Sequence, residues 1–178
     1  MERNYYEQNK TKQIVLTALF VALGVALPQA FHAIPNAGSI FLPMHIPVLI
    51  SGYAVGPVFG LLCGILTPLL SHLIFSMPPA PVLPGMLCEL AMYGLMSGLL
   101  NKVVNIENRL VKNYVVLIGA MLCGRVTYGI LNALVFKAGS YSLQAWISAA
   151  FVTTIPGIII QLVLIPILVD RLQKANLI

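Results

Sequence analysis

Arg125, Tyr128 and Asn132 recur at three- and four-residue spacing inside a long apolar run, so on a helix they share one face. A guanidinium in such a run has two uses. It can form a buried ion pair with a carboxylate, or receive an anionic group of a ligand through a two-pronged bond. Glu89 is the carboxylate placed to compete for it; His45 and His72 are the other ionisable groups within apolar runs. Asn132, Tyr128 and Glu89 could meet a ligand's hydroxyl, amide or ring nitrogen. Two histidines without a carboxylate or cysteine at regular ligand spacing do not make a metal site, and none is expected.

The elements that must hold these groups are membrane helices. Of 178 residues, 59% are hydrophobic and only 8% charged, with a mean hydropathy of +0.93. A water-exposed surface needs about 25% charged residues, so lipid is the main solvent. Continuous apolar runs of about 20 residues call for helices, where a barrel would alternate polar and apolar positions. The expected fold is all-α: one transmembrane domain over residues 1–178, six helices, and both termini in the cytoplasm. The spans fall at about 13–31, 43–55, 58–75, 85–100, 114–136 and 145–169.

The central stretch, Leu42 to Leu90, sets that count. As one helix, Leu42 to Phe75 would measure about 51 Å against a hydrocarbon core of about 30 Å. Gly56-Pro57 supplies the break, leaving a short second span that begins with prolines at 43 and 47. Short helices of this kind border cavities. Gly52, Gly56, Gly60 and Gly64 form a close-contact ladder, matched by Gly94 and Gly98. The segments His32–Phe41, Ser76–Pro84 and Lys137–Gln144 read as outer loops, with Tyr141 and Trp146 at the outer interface.

Charge orients the bundle. Arg3, Lys10 and Lys12 precede the first span, Lys102, Arg109 and Lys112 share one loop, and Arg171 and Lys174 follow the last. That is the positive-inside pattern rather than a nucleic-acid surface, although the net charge is +5. Six spans put all three flanks on one side and bring His45, His72, Glu89 and Asn132 to the outer half, with Arg125 nearer the middle. Ala18, Ala22 and Ala26 form a small-residue stripe on span 1 that serves either internal packing or docking of a partner subunit. Cys63, Cys88 and Cys123 lie in apolar runs without a CxxC pair and read as packing residues. No cleaved signal peptide is expected.

Enzymatic activity is not expected: HExxH, GxSxG and GxxxxGK[ST] are all absent. Without a P-loop the chain does not hydrolyse ATP by that route, and no cofactor is called for. The alternative to a binding component is a stand-alone, proton-coupled secondary transporter of a small organic anion, with Glu89 as the proton site. No inverted repeat supports it.

The six spans, the Ala18–Ala22 pair and the block PMHIPVLISGYAVGPVFGLLCGILTPLLS followed by SMPPAP resemble the substrate-binding S components of energy-coupling factor (ECF) transporters. The block is similar to pantothenate- and niacin-type members, and the resemblance spans roughly Thr11 to Lys174. It implies a multi-pass protein of a prokaryotic plasma membrane that captures a small water-soluble vitamin at its outer face. Pantothenate is the first choice and niacin the second. The implied partners are a transmembrane coupling subunit, which Ala18 and Ala22 would contact, and two cytoplasmic ATPases. It also implies that the component topples in the bilayer. Metal-uptake components of related systems begin Met-His, whereas this chain begins Met-Glu, which argues against a metal cargo.

Overall fold

Among the described residues, six helices are long and apolar enough to cross a bilayer, and there is no strand. The computed structural model describes residues 10–31, 37–136, 138–139 and 141–178. The leader up to Asn9, the His32–Asn36 part of the first outer loop, and Lys137 and Ser140 of the third lie outside the described residues. Helix α1 covers Lys10–Ala30, α2 Ala37–Phe41, α3 His45–Val55, α4 Pro57–Phe75 and α5 Leu83–Val103. Then follow α6 at Arg109–Leu131, α7 at Leu143–Ile147 and α8 at Ile155–Lys174.

Helix α3 is the axis of the bundle. Every residue from Pro47 to Val55 is buried, with Val48 and Leu49 wholly so, and α1, α4, α5 and α8 pack around it. The outer helices turn Ile14, Val15, Val58, Leu122, Ile130 and Val163 outward, as lipid requires. Gly56 makes the sharp return between α3 and α4 at φ 84, a left-handed conformation that a side chain would strain. Pro57 then opens α4 where its missing N–H costs nothing.

Helices α4 and α5 approach backbone to backbone. A Cβ built on Gly94 would collide with the carbonyl of Gly60, and one on Gly60 with that of Gly94. This contact is what the small-residue ladder provides, and it holds α5 rigidly against α3 and α4. Asn108 caps α6, its side-chain oxygen accepting from the amides of Leu110 and Val111.

At the basic end of the bundle, hydrogen bonds tie the helices together. Gln13 Nε2 donates to Val55 O at 3.5 Å, Tyr53 Oη to Asn113 O at 2.9 Å, and Asn113 Nδ2 to Gln173 Oε1 at 3.5 Å. The opposite end is less regular. Residues 37–41, expected as loop, form the helical turn α2, which stacks on α8. Helix α6 runs into a π-helical turn, Asn132–Phe136. Where one helix is expected over 145–169, the chain makes α7, a π-helical turn at Ser148–Val152, and a break at Thr153–Thr154 before α8. Pro156 explains the break: proline fits the first turn of a helix but not its interior.

Candidate functional site

The irregular end encloses a cavity of about 700 Å³. Its walls come from the outer end of α1, α2, the start of α3, the end of α4, the Met77–Pro79 loop, α5, α6 and the π turn before α8. Most of the lining is apolar and compliant, with Phe31, Leu42, Met44, Met77, Val82 and Met86. Ligand cavities of this size typically combine such walls with a few fixed polar groups.

Those groups centre on Arg125. Its Nη1 lies 3.1 Å from Glu89 Oε1, and its Nη2 donates to Thr154 Oγ1 at 3.4 Å. Tyr93 Oη donates to the same Glu89 oxygen at 2.9 Å, and Thr154 Oγ1 donates back to Ala150 O at 2.8 Å. Trp146 Nε1 donates to the Arg125 carbonyl at 3.0 Å, so the segment before α8 is latched to α6 at the residue that carries the charge. The ion pair joins α6 to α5 through Nη1 and Oε1. Arg125 is 5% exposed and Glu89 4%. Burial on this scale makes loss of either partner alone costly, while leaving the pair's net contribution to stability small.

His45 joins this group from α3. It is buried, and its ring sits 5.6 Å from that of Tyr93. Tyr128 contributes a half-buried ring to the wall one turn from Arg125. The structure therefore brings Arg125, Glu89, His45 and Tyr128 together around one cavity.

Asn132 and His72 lie apart from its lining. Asn132 Nδ2 donates to Tyr128 O at 2.8 Å, within 2.8 Å of where a Cβ on Gly85 would stand. The side chain locks α6 against the start of α5. His72 Nδ1 donates to Pro78 O at 2.7 Å, fixing the proline-rich loop to the end of α4. Both residues shape the rim without facing the space.

Ser71 and Tyr93 are the polar residues that residue-by-residue reading passes over. Ser71 lies in the cavity wall where His72 does not, because α4 turns its Gly64–Thr67–Ser71 face inward. That three- and four-residue spacing was the available signal. Tyr93 sits one turn after Glu89, the helical spacing at which a hydroxyl reaches a carboxylate. Among the described residues no three His, Cys, Asp or Glu side chains gather, so the cavity is built for hydrogen bonds and one charge pair.

Ala18 and Ala22 occupy the other notable surface. Both are exposed on α1, between Ile14, Val15, Leu19 and Leu23, among the described residues.

Compared with known families, residues 12–169 match the model described as ECF transporter, substrate-specific component. No curated protein and no solved structure matches the chain.

Proposed function

We propose that this chain, which belongs to the ECF transporter substrate-specific component family, captures a small anionic vitamin in the cavity around Arg125. Membership makes the protein the substrate-binding part of an ECF transporter, working with a coupling subunit and ATPases. The ligand is our reading: pantothenate first, niacin second.

One observation carries it. A guanidinium that is 5% exposed stands in the wall of a 700 Å³ cavity, at the end of the bundle away from the basic flanks. The positive-inside rule makes that end the outer one. Glu89 meets the guanidinium through Nη1 while Arg125 Nε has no hydrogen-bond partner among the described residues, so a ligand carboxylate can take a share of the guanidinium. Tyr93 continues to hold Glu89 while it does so.

The alanine stripe fits docking to the coupling subunit. Ala18 and Ala22 are uncovered and flat, which lets another helix approach closely in lipid, where packing rather than hydrophobicity drives association.

Equilibrium titration of purified protein with a panel of B vitamins tests the reading, with Arg125→Ala as the comparison. Binding of a carboxylate-bearing vitamin that Arg125→Ala abolishes is the expected result. A folded protein that binds no member of the panel would sink the proposal. So would proton-driven uptake by liposomes holding this chain alone, which would make Glu89 a proton site and the protein a secondary carrier.

A further inference from the structure

Three buried polar atoms in the cavity wall have no hydrogen-bond partner among the described residues: His45 Nδ1, Ser71 Oγ and Arg125 Nε. They belong to three different helices, α3, α4 and α6, and their residues all line the same cavity. Ser71 is wholly buried, and His45 is 2% exposed. A buried polar group without a partner is costly, and such groups in native structures are few. Three of them in residues of one cavity wall are a demand that a ligand there can answer.

The demand has a definite chemistry. Arg125 Nε carries a hydrogen and wants an acceptor. Ser71 Oγ can donate and accept, and His45 Nδ1 does one or the other according to its tautomer. The charged atoms nearby are already engaged: Nη1 with Glu89, Nη2 with Thr154. A ligand that answers all three atoms therefore needs more than an anionic end. It needs separate hydrogen-bonding groups reaching toward α3 and α4.

We infer that Ser71 and His45 form a second polar pole of the cavity and set its specificity. They select an aliphatic carboxylate bearing hydroxyl or amide groups over a planar aromatic acid. A flat acid with one ring nitrogen can satisfy Arg125 and one more atom, but its rigidity keeps it from spanning three helices. A flexible chain with hydroxyl and amide groups can place one group at each. The methionines 44, 77 and 86 in the wall adapt readily to the intervening aliphatic segments. This inference rests on the reading of the cavity as an anionic-vitamin site.

Calorimetric titration of the purified full chain with pantothenate and with nicotinate separates the two. The variants are Ser71→Ala, His45→Phe (which keeps a ring against Tyr93) and Arg125→Ala. Pantothenate should bind more tightly than nicotinate. Ser71→Ala and His45→Phe should each weaken pantothenate by about three- to tenfold, as loss of one hydrogen bond implies. Nicotinate, which can answer only one of the two, should be weakened to that extent by at most one of these variants and should move less than about twofold with the other.

Thermal unfolding without ligand adds a readout that a structural role would move differently. Deleting the unbonded Ser71 oxygen should leave the melting temperature unchanged or raise it. If it falls along with affinity, Ser71 is a packing residue and the inference is overturned. It is also overturned if pantothenate binds in an Arg125-dependent way while Ser71→Ala and His45→Phe match wild type; the vitamin reading would then stand alone. Nicotinate binding as tightly as pantothenate overturns the selectivity. Binding of neither probe, or binding indifferent to Arg125, overturns both the inference and the reading beneath it.

Discussion

Removing the Arg125 guanidinium tests binding and stability together, and a second substitution separates them. Arg125→Met keeps most of the side chain's volume but leaves Glu89, 4% exposed, held by the Tyr93 hydroxyl alone among the contacts described above. Breaking a buried ion pair by deleting one member costs about 3–5 kcal/mol. Because the Tyr93 hydroxyl still donates to Glu89 at 2.9 Å, the low end, about 3 kcal/mol, is expected. For a chain of this size each kcal/mol moves the melting temperature by about 2–4 °C, so a fall of roughly 6–12 °C follows. Adding Glu89→Leu removes the stranded carboxylate as well. Replacing both members of a buried pair by apolar residues is often neutral or stabilising, so the double variant should melt at least as high as wild type. It should nonetheless bind pantothenate about 10- to 150-fold more weakly, the loss of a charged hydrogen bond. Thermal unfolding in detergent and calorimetric titration read the two quantities on the same samples. If the single variant melts like wild type, the pair is not the buried contact described. If the double variant still binds at wild-type affinity, Arg125 does not hold the ligand.

Three further outcomes follow from packing and surface. Ala18→Leu should leave vitamin binding intact yet abolish uptake when the transporter is reconstituted with its coupling subunit and ATPases; unchanged uptake removes the docking role. Gly94→Ala drives a Cβ into the Gly60 carbonyl, and forcing α4 from α5 should cost about 2 kcal/mol or more in thermal unfolding. Asn108→Ala deletes the cap whose oxygen accepts from Leu110 and Val111; stability should drop by about 1 kcal/mol with binding unaltered.

The helices were legible because lipid imposes length and apolarity on them, and the return at Gly56-Pro57 because one long run had to break. The meeting of Glu89 with Arg125 could be posed from the residues as one of two possibilities; the structure shows the pair formed. The irregular outer end was harder. The split before α8 follows from Pro156 at the start of that helix, and hydropathy is blind to it. Ser71 was hidden beside the more conspicuous His72. One residue of helix is a rotation of about 100°, enough to turn a histidine onto the loop and a serine into the cavity. Chemical distinctiveness drew attention to the histidine, while direction was decided by the glycine face beneath.

The latch from Trp146 to the Arg125 carbonyl gives the protein a built-in optical probe. The chain has one tryptophan, so its intrinsic indole emission comes from a single, known place. That indole bonds to the backbone of the residue proposed to receive the ligand and stacks edge-on against Phe151 with ring centroids 5.6 Å apart. A movement of α6 at Arg125 changes the polarity around the fluorophore directly. On the proposed function, a ligand added to unlabelled protein should change this emission, in detergent or a bilayer. An unchanged spectrum at saturating ligand would show that α6 does not move at Arg125.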